Sequence, residues 1–234
     1  MKALIFDVDG TLAETEELHR AAFNTAFAGA GLPWVWDRAT YGRLLTTTGG
    51  KERIRRYADE TGALGIDAPG LHAAKTRAFV GLMASGGVSL RPGIGALITE
   101  VRAQGLSLAV ATTTSPENVD ALTRAVFGAK ASRIFDVIAA GDMVAAKKPA
   151  PDVYLLALRQ LGLPARDCVA LEDSANGVRA AMGAGLRVVL SRGVYTMDEP
   201  DAGATLEFAS FADMGGLAGL RKHLLAGPRR VMVP

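Results

Sequence analysis

The sequence predicts an α/β fold: a doubly wound (Rossmann-like) parallel sheet core with a helical cap inserted after the first strand. Three observations point there. Short, nearly continuous apolar runs recur along the chain, the pattern of strands covered on both faces. Amphipathic stretches separate them, several stopping at glycine, which is the strand-helix alternation of a parallel sheet. Between residues 14 and 86 the alternation lapses and only helical patterns occur.

The strands are read at "KALIFDVD" (2–9), "LSLAVATTT" (106–114), "FDVIAAGDM" (135–143), "CVALED" (168–173) and "LRVVLS" (186–191). The helices between them are "GIGALITEVRAQG" (93–105), "SPENVDALTRAVFG" (115–128), "DVYLLALRQLG" (152–162) and "SANGVRAAMGAG" (174–185). The interrupting segment opens with "EELHRAAFNTAFAGAG", which puts Leu18, Ala22 and Ala26 on one stripe. Two more helices are read in "GKERIRRYADETG" and "APGLHAAKTRAFVGLM". Residues 1–13 and 87–234 are therefore assigned to the α/β catalytic core and 14–86 to the α-helical cap. The hinges fall at Ala13-Glu14 and at Ser85 to Gly87, and the ending "GPRRVMVP" reads as a loosely held tail.

Composition narrows the function classes. An apolar share of 49% is ample for a core and argues against disorder. Lys+Arg 26 against Asp+Glu 24 leaves +2, too balanced for a nucleic-acid or membrane surface. No apolar run approaches the roughly 18 to 20 residues of a membrane helix, and the start carries no pattern of a cleaved leader. The single cysteine, Cys168, allows no internal disulfide and reads as a small buried hydrophobe. A soluble, cytoplasmic, monomeric protein is expected, with a small molecule as its partner.

The chemistry gathers where the strands end, since open parallel sheets bind ligands beyond their carboxyl edge. The first strand delivers Asp7 and Asp9, followed by Gly10 and Thr11. Two like charges so close cost several kcal/mol in a poorly solvated place unless something neutralises them. The second strand delivers Thr112, Thr113 and Thr114, then Ser115 at a helix start whose free N–H groups favour an anion. Lys147 and Lys148 precede Pro149, and the fourth strand ends in Glu172 and Asp173. Carboxylates of this kind make a hard-cation site suited to Mg²⁺. A hydroxyl, amides and a lysine make a phosphate cradle. Metal and phosphate in one crevice point to phosphoryl transfer. The cap segment "TTTGGKE" is not a Walker loop: Leu45 stands where its first glycine belongs and Glu52 where Ser or Thr belongs.

These four pieces, "DVDGT", "VATTTS", "KKPAPD" and "LEDS", resemble in this order the motifs of the haloacid dehalogenase superfamily. The helical insert resembles the cap of the β-phosphoglucomutase and phosphoglycolate phosphatase subgroup. "TTTGGKERI" and "DVDGTLAETEELHR" resemble the CbbY family of that subgroup, phosphatases of xylulose-1,5-bisphosphate, an inhibitory by-product of Rubisco in the Calvin cycle. The resemblance implies Asp7 as nucleophile, forming an aspartyl-phosphate, and Asp9 as general acid and then base. It implies Mg²⁺ held by Asp7, the main-chain carbonyl of Asp9, and Asp173, with Glu172 assisting. Thr112, the Thr113 backbone and Lys148 would bind the phosphoryl oxygens; Lys148 rather than Lys147 matches, because it directly precedes Pro149.

Substrate choice is left to the cap. Lys51 and Arg53 follow Gly49-Gly50, and His72 and Lys75 share a helix face at i,i+3. Four basic groups suit a second phosphate at the far end of a short sugar, and Glu16 suits sugar hydroxyls. Ser115 and Asn118 are added as substrate contacts at the core side. A solvated helix face accounts for Glu52, Arg55, Arg56 and Arg77, while His19 reads as packing or as a substrate contact. Two alternatives share the core chemistry: a sugar phosphomutase, and an aspartate phospho-receiver domain, against which the insert and Asp9 argue.

Overall fold

The computed structural model describes residues 1–227 and 229–230. Its sheet has seven strands, β1 (Ala3–Phe6), β2 (Ser107–Thr112), β3 (Val137–Ala140), β4 (Cys168–Glu172), β5 (Arg187–Leu190), β6 (Leu206–Glu207) and β7 (Arg229–Arg230), in the order β3-β2-β1-β4-β5-β6-β7. Every neighbouring pair is parallel. The first five are the predicted strands. The sequence reading carries all five too far: β1 stops before Asp7, β2 at Thr112, β3 at Ala140, β4 at Glu172 and β5 at Leu190. Beyond β1, β2 and β4 the polar residues leave the ladder and line one crevice, while those beyond β3 line an adjoining recess. With two residues each, β6 and β7 are too short for periodicity to reveal. The expected loose tail thus starts with a strand at Arg229–Arg230; Pro228 and residues 231–234 lie outside the described residues.

Strand alternation divides the core. Leu4 and Phe6 join Val110 and Leu171 on one face with Leu97, Leu122 and Leu217 from α5 (Ile94–Ala103), α6 (Pro116–Phe127) and α10 (Gly216–Ala226). Ala3 and Ile5 face the other way, with Tyr154 and Val178 from α8 (Asp152–Leu161) and α9 (Ala175–Gly183). A single turn of helix, α7 (Ala131–Ile134), precedes β3.

Between β1 and α5 lie α1 (Glu16–Gly29), α2 (Arg38–Leu44), α3 (Gly50–Thr61) and α4 (Ala68–Ala84), with no strand among them. The α2 helix escapes sequence reading because seven residues span two turns. It starts where the Asp37 side chain accepts from Thr40 N at 2.7 Å, and it buries Tyr41 and Leu44. These helices have a core of their own around Phe23, Phe27, Trp36 and Tyr41. The ring centroids of Phe23 and Trp36 are 4.7 Å apart and those of Phe27 and Trp36 4.8 Å. Such pairs add about 0.5–1.5 kcal/mol each beyond area burial.

Both connections to the sheet run side by side. Ala13 bridges Asp9 and Leu90, and Arg91 N donates to Leu12 O at 2.8 Å. Among the described residues no helix is long and apolar enough to cross a membrane.

Candidate active site

β1 pairs with β2 on one side and β4 on the other, so the sheet reverses its winding at β1. Phe6 is level with Val110 and Leu171. The next residues, Asp7, Ala111 with Thr112, and Glu172 with Asp173, therefore emerge together at the crevice that a topological switch point creates. One cavity there is lined by Asp7, Asp9, Thr112, Lys148 and Asp173 from the sheet edge, and by residues of the insert above.

The two aspartates separate at a tight turn. The carbonyl of Val8 accepts from Thr11, Leu12 and Ala13, and Gly10 N donates to Ala13 O at 2.8 Å. Gly10 has φ +82°, and a Cβ there would stand 2.3 Å from Asp173 Oδ2. Both the conformation and the close approach require glycine. Asp7 is buried, and its Oδ1 accepts from Lys148 Nζ at 2.6 Å. Lys148 also donates to Glu172 Oε1 at 2.6 Å, which takes a second bond from Tyr154 Oη at 2.6 Å.

Asp7, Glu172 and Asp173 are all buried and offer oxygens within 4.8 Å of one another. At an effective dielectric near 20, two such charges repel by about 3–4 kcal/mol. Burial, with Glu172 and Asp9 adding to it against the opposing Lys148, pushes the Asp7 carboxyl up to about 8. Burial and then Asp7 and Glu172 push Asp173 well above the usual carboxylate range. One lysine cannot balance three carboxylates. Hard oxygen donors in this number, short of positive charge, fit a divalent cation such as Mg²⁺.

Beside the acids, Thr112 Oγ1 accepts from Thr114 N at 3.2 Å at the mouth of α6. Thr112 and Thr113 both line the cavity. Asn118 lines it too; its Nδ2 donates to Thr114 Oγ1 at 2.9 Å, and its buried Oδ1 has no partner. Ser115 behaves otherwise than expected. It caps α6, accepting from Asn118 N at 3.4 Å, and faces an adjoining recess. Its oxygen is engaged at the helix start, outside the cavity that the acids line.

Asp9 turns its carboxylate toward the insert. Its Oδ1 accepts from Thr15 Oγ1 at 2.5 Å and lies 2.9 Å from His19 Nε2. His19 Nδ1 lies 2.6 Å from Lys75 Nζ. With Lys75 donating to Nδ1, the Nε2–H donates to Asp9. Burial opposes it, yet His19, Thr15 and Lys75 together hold the Asp9 carboxyl below the usual carboxylate range. The imidazole also stacks on Phe79 with centroids 3.9 Å apart. His19 thus packs and reaches the site at once.

The insert supplies the opposite wall. Arg53 is 9% exposed, its Nη1 donates to Tyr41 Oη at 3.1 Å, and its buried Nε has no partner. No carboxylate pairs with it among the described residues. Lys75 is buried, and its ammonium stands 5.0 Å over the Phe23 ring and 5.1 Å over Phe79. Burial, against the pull of Asp9, lowers it to about 8. Glu16, Gly49, Gly50 and His72 line the same cavity, and Glu16 Oε2 accepts from Tyr41 Oη at 2.5 Å. Lys51 does not join them. It faces the adjoining recess and pairs across to Asp142, in the turn after β3, which also holds Lys147 at 2.8 Å. Three of the four expected basic groups therefore converge, and the fourth has its charge matched elsewhere.

Burial first, then Lys75 and Lys51, push the His72 imidazole down to about 4. The folded protein keeps it neutral, whereas the unfolded chain takes up a proton below about 6.5. Stability therefore falls as pH drops from about 6.5 toward 4. His72→Gln is expected to flatten that part of the profile in thermal melts; an unchanged slope contradicts this origin.

Several residues at the site carry no sequence signal. Tyr154 holds Glu172 from one turn into α8, and Thr196 Oγ1 donates to Asp173 O at 2.7 Å. Arg91 Nη2 donates to Ser191 Oγ at 3.0 Å and to Arg192 O at 2.8 Å, while its Nη1 donates to Gly10 O at 2.5 Å. Only the Tyr154 position, directly downstream of "KKPAPD", lies near a motif.

Two aspartates just after β1, two carboxylates at the end of β4 and a lysine before β4 are the parts that an aspartate-based phosphohydrolase uses. Residues 1–185 match the haloacid dehalogenase-like hydrolase family, and the chain belongs to that family, as a phosphatase. Within it, the chain is 60% identical to the protein CbbY of Cereibacter sphaeroides, over 94% of this chain and 96% of the relative. A crystal structure of CbbY from Rhodobacter sphaeroides with phosphate superposes with a TM-score of 0.92 at 59% identity, covering 94% of this chain and 99% of that one. A mutant of that protein, with the same TM-score, identity and coverage, was solved in complex with xylulose-1,5-bisphosphate. β-Phosphoglucomutase from Clostridium difficile shares the fold, with a TM-score of 0.80 at 19% identity over 97% of this chain and 98% of that one. Membership of a hydrolase family removes the phospho-receiver alternative.

Proposed function

We propose that this phosphatase removes one phosphate from a small sugar bisphosphate, with xylulose-1,5-bisphosphate as the substrate, through a phosphorylated Asp7. The observation that carries the reading is one cavity charged oppositely at its two ends. The floor holds Asp7, Glu172 and Asp173 with Lys148; the ceiling holds the Arg53 guanidinium, whose Nε has no partner, and the Lys75 ammonium, with the neutral His72 imidazole beside them. A phosphate at each end of a short chain satisfies both. The CbbY structure with a pentulose bisphosphate supports the same size and charge of ligand.

In the first step an Asp7 oxygen attacks phosphorus, and the sugar oxygen departs with a proton from Asp9. In the second, Asp9 takes a proton from the water that cleaves the aspartyl-phosphate, leaving inorganic phosphate and restoring Asp7. As placed, Asp9 is ionised, the form the second step needs. Swinging its carboxyl away from His19 removes the contacts that keep the proton off, which prepares the first. Lys148, Thr112 and the Thr113 backbone hold the phosphoryl oxygens. Asp7, the Asp9 carbonyl and Asp173, with Glu172 assisting, would hold Mg²⁺, which would neutralise charge on the transferring group. Residues 14–86 act as a cap that carries the distal-phosphate contacts and excludes bulk water.

Phosphate release from a panel of sugar mono- and bisphosphates tests the reading. The highest kcat/KM is expected for the ketopentose bisphosphate, with release stopping in EDTA; equal values for the monophosphates, or indifference to EDTA, contradict it. Lys75→Ala is expected to raise KM about tenfold or more for the bisphosphate and less for monophosphates, as loss of a charged hydrogen bond implies. Equal increases for both would remove Lys75 from the distal site.

A further inference from the structure

The loop after β5 touches both ends of the cavity. Thr196 Oγ1 donates to Asp173 O at 2.7 Å and lies 3.3 Å from Asp173 Oδ2, and it accepts from Gly193 N at 2.9 Å. Gly193 itself is pressed against the acids: a Cβ there would stand 3.0 Å from Asp173 Oδ2 and 3.4 Å from Glu14 Oε2. The neighbouring residue leaves the core altogether. Tyr195 Oη donates to Glu17 Oε1 on α1, and its ring stands edge-on to Tyr41 of α2, centroids 5.6 Å apart at 88°. Tyr41 Oη is the group that donates to Glu16 and accepts from Arg53. Glu17 is fixed in turn by Arg20 at 2.7 Å and Arg38 at 2.8 Å.

Adjacent Cα atoms are locked about 3.8 Å apart. The grip of Thr196 on Asp173 and the grip of Tyr195 on the insert therefore cannot move independently. We infer that Tyr195 and Thr196 are positioning residues that tie the Asp173 end of the site to the Tyr41–Arg53 wall. Filling the acidic end then favours the wall position that receives the distal end of the substrate. This inference rests on the bisphosphate reading and adds the element that joins its two halves.

Steady-state kinetics with xylulose-1,5-bisphosphate and with p-nitrophenyl phosphate, which has no distal phosphate, test it, together with the rise in melting temperature on adding Mg²⁺ alone. Tyr195→Phe is expected to raise the ratio of bisphosphate KM to aryl phosphate KM about fivefold or more, with bisphosphate kcat moving by less than about twofold. The Mg²⁺-induced rise in melting temperature is expected to persist. Glu17→Ala, which removes the acceptor, should give the same ratio, and the double variant should be no worse than either single one, because the two share one interaction. Thr196→Val should require more Mg²⁺ for the same stabilisation and should also raise the bisphosphate KM, although the Thr196 hydroxyl bonds only to Asp173 and Gly193 among the described residues. An unchanged KM ratio in Tyr195→Phe, additive effects in the double variant, or a Thr196→Val effect confined to Mg²⁺ would each overturn the tie. Absence of Mg²⁺-dependent phosphate release from either substrate by the parent enzyme would instead overturn the bisphosphate reading.

Discussion

Asp7→Asn is expected to lose at least about 10⁴-fold in kcat while keeping its fold. Covalent catalysis has no substitute route when the nucleophile is gone, and what remains is positioning and charge neutralisation. The amide is nearly the same size as the carboxylate, so packing against Lys148 and the β1 turn survives. It also removes a carboxyl that burial and its acidic neighbours hold up at about 8, so without metal no charge is forced into the cluster at position 7. In the absence of metal the variant should therefore melt at or above the parent temperature. It should still bind the bisphosphate, since Arg53, Lys75 and His72 are untouched. Rapid-quench assays and thermal melts check both halves; turnover at the parent rate would assign the nucleophile elsewhere.

Asp9→Asn is expected to lower kcat by about 10²–10⁴, the range of a general acid-base contribution. The loss should depend on the leaving group. A sugar alkoxide needs the proton that Asp9 supplies, whereas nitrophenolate leaves without one. With p-nitrophenyl phosphate the variant should give a burst of nitrophenolate near one equivalent, then slow turnover, because water attack on the aspartyl-phosphate still lacks its base. With the sugar phosphate the burst should vanish. Bursts of equal size on both substrates would show that Asp9 serves the second step alone.

The core of this site was legible because its chemistry is local in sequence. Asp7 and Asp9, Thr112, and Glu172 with Asp173 each directly follow or end an apolar strand, and parallel pairing brings those ends together. The choice of Lys148 over Lys147 rested on the adjacent Pro149. In the folded chain Lys148 reaches Asp7 and Glu172, while Lys147 is held by Gly141 O and Asp142.

The cap side was less legible, because helical patterns show which face a residue occupies and not what stands opposite. Lys51 and Arg53 are two residues apart, yet Arg53 enters the cavity and Lys51 crosses to Asp142. His19, on the first helix of the insert, read as packing or as a substrate contact, and its stacking on Phe79 fits the first of these. Its bond to Asp9 depends on the β1 turn folding back, which no helical pattern encodes. Tyr195 and Thr196 lie in a loop without motif or periodicity, and only the tertiary fold brings them to Glu17 and Asp173.

The most direct test is a ³¹P NMR time course of xylulose-1,5-bisphosphate with the enzyme and Mg²⁺. The account predicts one equivalent of inorganic phosphate and one of a sugar monophosphate, both arising together and neither forming in EDTA. Isomerised bisphosphate without inorganic phosphate, or an unchanged spectrum, would contradict it.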